Sequence, residues 1–231
     1  MKTIGLLGGM SWESTVIYYK YLNRMVRERL GGLHSAKCLL WSFDFAEIEA
    51  AQASGEWGKA AELMVAAAKN LERGGADCLV ICTNTMHKVA DDVGAEIGIP
   101  LLHIADATAP AIQEAGCQEP LLLATAYTMQ QDFYKGHLHE NHGVTVRVPP
   151  SDAREEIHRI IYEELCKGEI WADSKQTFLE VVEQELQAGA DGVIFGCTEI
   201  GLLVSQQDFS IPAFDTTALH AKAALDFALD G

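Results

Sequence analysis

Basic residues are scarce in this chain: 17 lysines and arginines stand against 33 aspartates and glutamates, a formal charge of −16 over 231 residues. Nucleic-acid binding needs a basic face, so that class is disfavoured. A field of this sign also repels anions, so an anionic substrate must be held by local donors. Long apolar runs are missing too. Nothing approaches the roughly 18 consecutive apolar residues of a membrane span. The apolar run after Met1-Lys2 ends at Gly8-Gly9, too short for a signal peptide's core. The expectation is therefore a cytoplasmic protein with no membrane partner. Pro/Gly/Ser-rich linkers, low-complexity tracts and charge runs are absent, so any two halves should pack closely. The six cysteines (38, 78, 82, 117, 166 and 197) do not read as a disulfide framework. Cys78 and Cys82 share one predicted strand, where side chains four apart cannot close on a zinc ion together. Cys38, Cys78 and Cys117 read as small buried hydrophobes.

What is present is a repeat. Gly189-Ala190-Asp191-Gly192-Val193-Ile194-Phe195-Gly196-Cys197-Thr198-Glu199 has a counterpart 114 positions earlier, Gly75-Ala76-Asp77-Cys78-Leu79-Val80-Ile81-Cys82-Thr83-Asn84-Thr85. Each is a glycine turn, a short apolar run and a group of reactive or polar side chains. Short apolar runs bounded by glycine suit strands buried on both faces of a parallel sheet. In the gapless overlay Cys197 falls on Thr83, and Cys82 on Gly196. Ligands of open α/β sheets bind beyond the carboxyl ends of the strands, where these residues lie.

Taken in order, Thr3 to Leu7 reads as a strand, followed by Gly8-Gly9-Met10-Ser11 and a helix to Leu30. This loop is neither Gly-x-Gly-x-x-Gly nor a Walker motif, so a nucleotide reading is weak. A strand at Ala36 to Phe43, a helix at Glu56 to Arg73 and the strand Cys78 to Ile81 follow. Further strands are expected at Ile97 to Ile104, Pro120 to Leu123, Val144 to Val148, Val193 to Phe195 and Ile211 to Phe214. Helices are expected between them, with a terminal one from Thr216 to Leu229. This βα order predicts an α/β protein of two pseudo-symmetric, doubly wound parallel-sheet domains with the active site in the cleft between them. The first domain takes residues 1–102 plus 213–231, the second 103–212.

A cysteine at a strand end before a helix is expected to feel the helix N-terminal amides, which lower a thiol pKa from about 8.5. Nucleophilic use would need a positioned base. His87 and His103 are candidates, but no triad order is visible, and His87 reads better as a support for the Asn84-Thr85 turn. Proton transfer needs only a base on one face of a carbon, a donor on the other, and donors for a carboxylate. Asn84, Thr85, Thr198 and the Gly8-Gly9 amides could supply the last. His137, His139 and His142 read as surface residues rather than a metal site.

Gly8-Gly9-Met10-x-x-Glu13-Ser14-Thr15, Asn84-Thr85-x-His87 and Gly196-Cys197-Thr198-Glu199 resemble motifs of the aspartate/glutamate racemases. The resemblance covers nearly the whole chain. It implies cofactor-independent amino-acid racemisation, two pseudo-symmetric α/β domains, a homodimer, and neither metal nor pyridoxal phosphate. It also implies Cys197 and Thr83 as the catalytic pair, with Met10, Gln52, Asn84, Thr85, Thr125, Thr128 and Thr198 around the substrate. Two positions depart from the family pattern. A cysteine normally precedes Asn-Thr, and here that residue is Thr83; Cys82 sits one step earlier, which reverses a strand side chain. Related racemases can carry a lysine for the distal carboxylate where this chain has Cys166, so Gln52 and Lys167 are the candidates to replace it.

The leading expectation is a racemase of aspartate, glutamate or related polar amino acids. In it the Cys197 thiolate removes the α-proton and Thr83 returns one from the other face, with the L-enantiomer favoured. A single thiol would also suit a decarboxylase or isomerase of a small dicarboxylate. A non-catalytic amino-acid binding protein is the third possibility.

Overall fold

The computed structural model describes residues 1–230. Its elements in chain order are β1 (Ile4–Gly8), α1 (Trp12–Leu30), β2 (Cys38–Ser42), α2 (Phe45–Ala53), α3 (Trp57–Arg73), β3 (Cys78–Ile81), a 3-10 turn (Thr85–Val89), α4 (Ala90–Gly94), β4 (Leu101–Leu102) and α5 (Ile104–Glu114). There follow β5 (Leu121–Ala124), α6 (Ala126–Gln130), α7 (Asp132–His142), α8 (Ser151–Glu163), a 3-10 turn (Leu165–Lys167), α9 (Ala172–Gln187), β6 (Val193–Gly196), α10 (Ile200–Leu203), a third 3-10 turn (Gln206–Asp208), β7 (Ala213–Asp215) and α11 (Thr216–Leu229). The chain divides into two compact units, residues 1–104 with 220–231, and residues 105–219.

The first unit holds a parallel sheet in the order β2-β1-β3-β4. Both inner strands are buried along their whole length, as their unbroken apolar sequences require. Alternate side chains serve two separate cores. Leu7, Leu79 and Ile81 pack with Met64, Ala67 and Leu71 of α3. Ile4, Leu6, Cys78, Val80 and Cys82 pack with Tyr18, Leu22 and Val26 of α1 and with Ala221, Ala224 and Leu225 of α11. Helix α1 starts where the Ser11 hydroxyl accepts the Ser14 amide, and it stops at Gly31, whose φ is 70°.

The second unit holds a parallel sheet in the order β5-β6-β7. The strand expected over 144–148 is reduced to one parallel bridge between Arg147 and Leu121. Pro149 and Pro150 carry no N–H, so the ladder cannot extend past Val148. The strand expected over 97–104 is likewise only Leu101–Leu102. Because β7 pairs with β6, residues 213–219 belong to the second unit, not to the first as the sequence suggested. No helix among the described residues is long and apolar enough to cross a membrane.

Candidate active site

Parallel strands deliver their carboxyl ends to one edge of a sheet. In the first unit Gly8 pairs with Ser42, and Leu7 with Ile81, so the loops after β1, β2 and β3 emerge side by side. Gly9 makes the first of these turns possible. Its φ is +81°, and a Cβ there would lie 2.4 Å from the Phe43 nitrogen, so only glycine fits. The Gly9 amide donates to Thr15 Oγ1 at 2.8 Å, and that hydroxyl donates to the Ser11 carbonyl at 3.0 Å. Ser14 Oγ donates to the Cys82 carbonyl at 2.7 Å, tying the start of α1 to the end of β3. Met10 is buried beside these residues in sequence.

At the end of β3 the chain does two different things in two residues. Cys82 is 0% exposed and lies in the core with Cys78 and Val80, where burial pushes its thiol far up from 9.0. Thr83 is partly exposed, and its carbonyl faces His87 Nδ1 at 2.8 Å. It does not cap the 3-10 turn that follows; Asn84 holds the N-cap position, with no side-chain cap bond. Asn84 and Thr85 are buried. His87 Nε2 accepts the Ile104 amide at 3.2 Å, which leaves Nδ1 as the protonated nitrogen that donates to Thr83. Both ring nitrogens are thus committed to the backbone, and His87 is a brace rather than a proton carrier. His103 packs edge-on against it with ring centroids 4.6 Å apart. Gln52, buried on α2, donates to Met86 Sδ at 3.1 Å, and so meets the segment just after Thr85.

In the second unit Ala124 pairs with Gly196, and Phe195 with Asp215, so Thr125, Cys197 and Thr216 follow three adjacent strand ends. Thr216 Oγ1 donates to the Phe195 carbonyl at 2.7 Å, one residue earlier in the repeat than the carbonyl that Ser14 holds. Thr125 caps α6: its hydroxyl accepts the Thr128 amide and lies 3.2 Å from Thr128 Oγ1. The Ala126 amide donates to His158 Nδ1 at 3.2 Å, and burial lowers the His158 pKa, which keeps that ring an acceptor. No pattern in the sequence had pointed to His158.

Cys197 is partly exposed, and Thr198 and Glu199 are buried. Its Sγ donates to Glu199 Oε2 at 2.9 Å, while Cys166 Sγ donates to Glu199 Oε1 at 3.8 Å. The Cys197 thiol is raised well above 9.0, first by burial and then by the Glu199 charge and by Cys166. This corrects the expectation that a helix end would lower it. The helix that comes next, α10, has four residues and too few aligned amides to outweigh a carboxylate in contact with the sulfur. The resting thiol is neutral. The sequence reading placed Cys197 at the strand end but assigned no role to Glu199 and did not connect Cys166 with it.

Each of the two parallel α/β sheets thus ends a central strand in a partly exposed residue, Thr83 in the first unit and Cys197 in the second. The chain belongs to the Asp/Glu/hydantoin racemase family, whose model matches residues 7–224, and it is an isomerase of the racemase kind. A candidate Asp/Glu racemase from Yersinia pestis is 55% identical over 100% of both chains, with a TM-score of 0.92. An aspartate racemase homologue from Pyrococcus horikoshii OT3 is 36% identical over 99% of both, with a TM-score of 0.85. The broad specificity amino-acid racemase RacX of Bacillus subtilis (strain 168) is 23% identical over 68% of this chain and 67% of its own.

Proposed function

We propose that this protein racemises aspartate, glutamate or a related polar amino acid without a cofactor, using Cys197 on one face of Cα and Thr83 on the other. The observation that carries the reading is that Cys197 after β6 and Thr83 after β3 are partly exposed residues at repeated strand ends, while the neighbouring Cys82 is sealed in the core. Family membership and the activities named for its relatives support the substrate class.

Cα–H removal needs a base whose pKa lies near the working pH. A thiol comes nearest to that requirement once a bound substrate's ammonium group offsets the burial and the Glu199 charge that raise Cys197, whereas a threonine hydroxyl titrates too high for local dipoles to ionise it. Cys197 is therefore the base, and Thr83 donates a proton or relays one from water; the family resemblance suggests that the second-half cysteine faces the α-proton of the L-enantiomer. Asn84, Thr85 and Thr198 hold the α-carboxylate; the Gly9 amide is already committed to Thr15 Oγ1. Mixing the protein with L- and D-aspartate and L- and D-glutamate in D2O, and following the α-proton by NMR, tests this. Exchange with inversion of at least one pair is expected. No exchange of any of the four removes the reading, and carbon dioxide release from a malonate-type acid would replace it with a decarboxylase.

A further inference from the structure

Two histidines of the second unit point the same atom at one oxygen. His137 Nε2 lies 2.6 Å from Asp106 Oδ1, and His142 Nε2 lies 2.7 Å from it. Asp106 stands in the first turn of α5, and both histidines belong to α7. The sequence reading took His137, His139 and His142 alike as surface residues, but the fold separates them. The two converging side chains are each only 23% exposed. His139 stands apart, its Nδ1 3.5 Å from Thr145 Oγ1. The end of α7 is also held in place. Gly143 turns the chain out of the helix with a φ of 67°, and Gln113 Nε2, from α5, donates to the His142 carbonyl at 2.9 Å. We propose that Asp106, His137 and His142 form a zinc site that clamps α5 to α7.

Two imidazoles and a carboxylate, completed by water, are a donor set that suits zinc. Zinc holds nitrogen and oxygen at about 2.0–2.2 Å in a tetrahedron, so its ligand atoms stand roughly 3.3 Å apart. The nitrogen–oxygen separations here are shorter than that by about half an ångström. A small withdrawal of Asp106, whose side chain is half exposed, closes the difference. Without an ion, both rings must carry a proton on Nε2 and crowd two N–H groups onto one oxygen. With zinc, each ring carries its proton on Nδ1 and turns an Nε2 lone pair to the metal, and no covalent bond to carbon, nitrogen or oxygen of the chain is broken. A chain of formal charge −16 favours a cation at its surface. The ion is a staple between two helices and takes no part in proton transfer, so the inference is independent of the racemase reading.

Calorimetric titration of zinc chloride into the chelator-treated protein at pH 7.5 reads the site directly. One equivalent should bind with a Kd of about 10 μM or tighter. His137→Ala and His142→Ala should each weaken that binding at least ~10-fold, while His139→Ala stays within about threefold of wild type. Saturating zinc should raise Tm by about 3 °C or more in wild type and by less than ~1 °C in His142→Ala. Cobalt(II) in place of zinc separates this site from the thiols of Cys166 and Cys197, because nitrogen and oxygen ligands give no sulfur-to-metal charge-transfer band. Four results overturn the proposal: no binding tighter than ~100 μM, binding undiminished in both His137→Ala and His142→Ala, an equal loss in His139→Ala, or a thiolate band from the first equivalent of cobalt. Should an alanine variant fail to fold, Asp106→Asn decides at its exposed position: weaker binding supports the site, and unchanged affinity overturns it.

Discussion

The ends of β3 and β6 are the same structure carrying different atoms. Each strand is flanked on both sides by parallel neighbours, and each has its terminal carbonyl region held by a hydroxyl, Ser14 on Cys82 and Thr216 on Phe195. At β3 the inward position holds a thiol and the next holds a hydroxyl. At β6 the inward position is Gly196 and the next holds the thiol. The packing enforces the difference, since a Cβ on Gly196 would lie 2.6 Å from Leu122 Cδ1 and 2.9 Å from Ala124 Cβ. Cys82 occupies a site that tolerates sulfur, and Gly196 one that does not tolerate even a methyl group. Both thiols are neutral, for different reasons. Cys82 is raised by burial above all, whereas Cys197 is raised by burial together with the Glu199 carboxylate in contact with it. A repeated strand end can therefore be specialised by shifting one thiol a single residue.

The comparison breaks most visibly at Cys197. Cys197→Ser should cost more than ~1000-fold in turnover with an unchanged far-UV circular dichroism spectrum, because serine keeps the shape but offers no accessible anion. Wild-type activity in that variant would end the assignment of roles. Making the strand ends alike is the next test. Thr83→Cys should raise the saturated D-to-L rate about tenfold, toward the L-to-D rate. The Haldane relation keeps kcat/KM equal in the two directions, so in wild type the asymmetry must show in kcat and KM separately. Equal values for both enantiomers in wild type, unmoved by the substitution, would show that a hydroxyl and a thiol are equivalent here.

Smaller effects sharpen the contrast. His87→Ala leaves the Ile104 amide and the Thr83 carbonyl without their ring partner and should cost about 2–3 kcal/mol in urea unfolding. A loss below ~0.5 kcal/mol would mean the ring does not brace the Thr83 turn. Cys82→Ala should leave racemisation within about threefold of wild type, and its signature lies in pH instead. Above the thiol's ordinary 9.0 the unfolded chain loses this proton while the native state, raised by burial, keeps it. Native stability therefore falls as pH rises, by about 1.4 kcal/mol per pH unit for such a thiol. The decline in urea midpoint between pH 9 and 10.5 should be shallower in Cys82→Ala, and an identical slope would place the sulfur in contact with solvent.

Elements defined by their own composition were legible in the sequence. The strand Ile4–Gly8 is a bare apolar run, α1 has a serine before it and Gly31 after it, and α11 matches its expected bounds of Thr216 and Leu229. What was missed depends on distant partners. Arg147 forms a single β-bridge, to Leu121, 26 positions away, so the strandlike pattern of 144–148 found almost no ladder to join. At the site, the repeat located Cys197 because both copies obey the same strand register. It could not show that Glu199, two residues on through an irregular turn, folds back onto the sulfur. Nor could it bring in Cys166 from 33 residues away. The expected drop in the Cys197 pKa failed for the same reason: helix length and a folded-back carboxylate are properties of the turn.

The two hydroxyl bonds at the strand ends have a consequence for how this chain tolerates change. Ser14 and Thr216 sit at or near the starts of helices, positions where several polar residues ordinarily serve equally well. Here each hydroxyl is instead a fastener for the loop that carries Thr83 or Cys197. In a saturation library scored on growth or turnover, these two positions should stand out as intolerant, accepting only serine and threonine. The exposed positions beside them on the same helices, such as Trp12 and Val16, should accept most replacements. The catalytic loops are thus protected, or lost, by substitutions at residues that carry none of the chemistry.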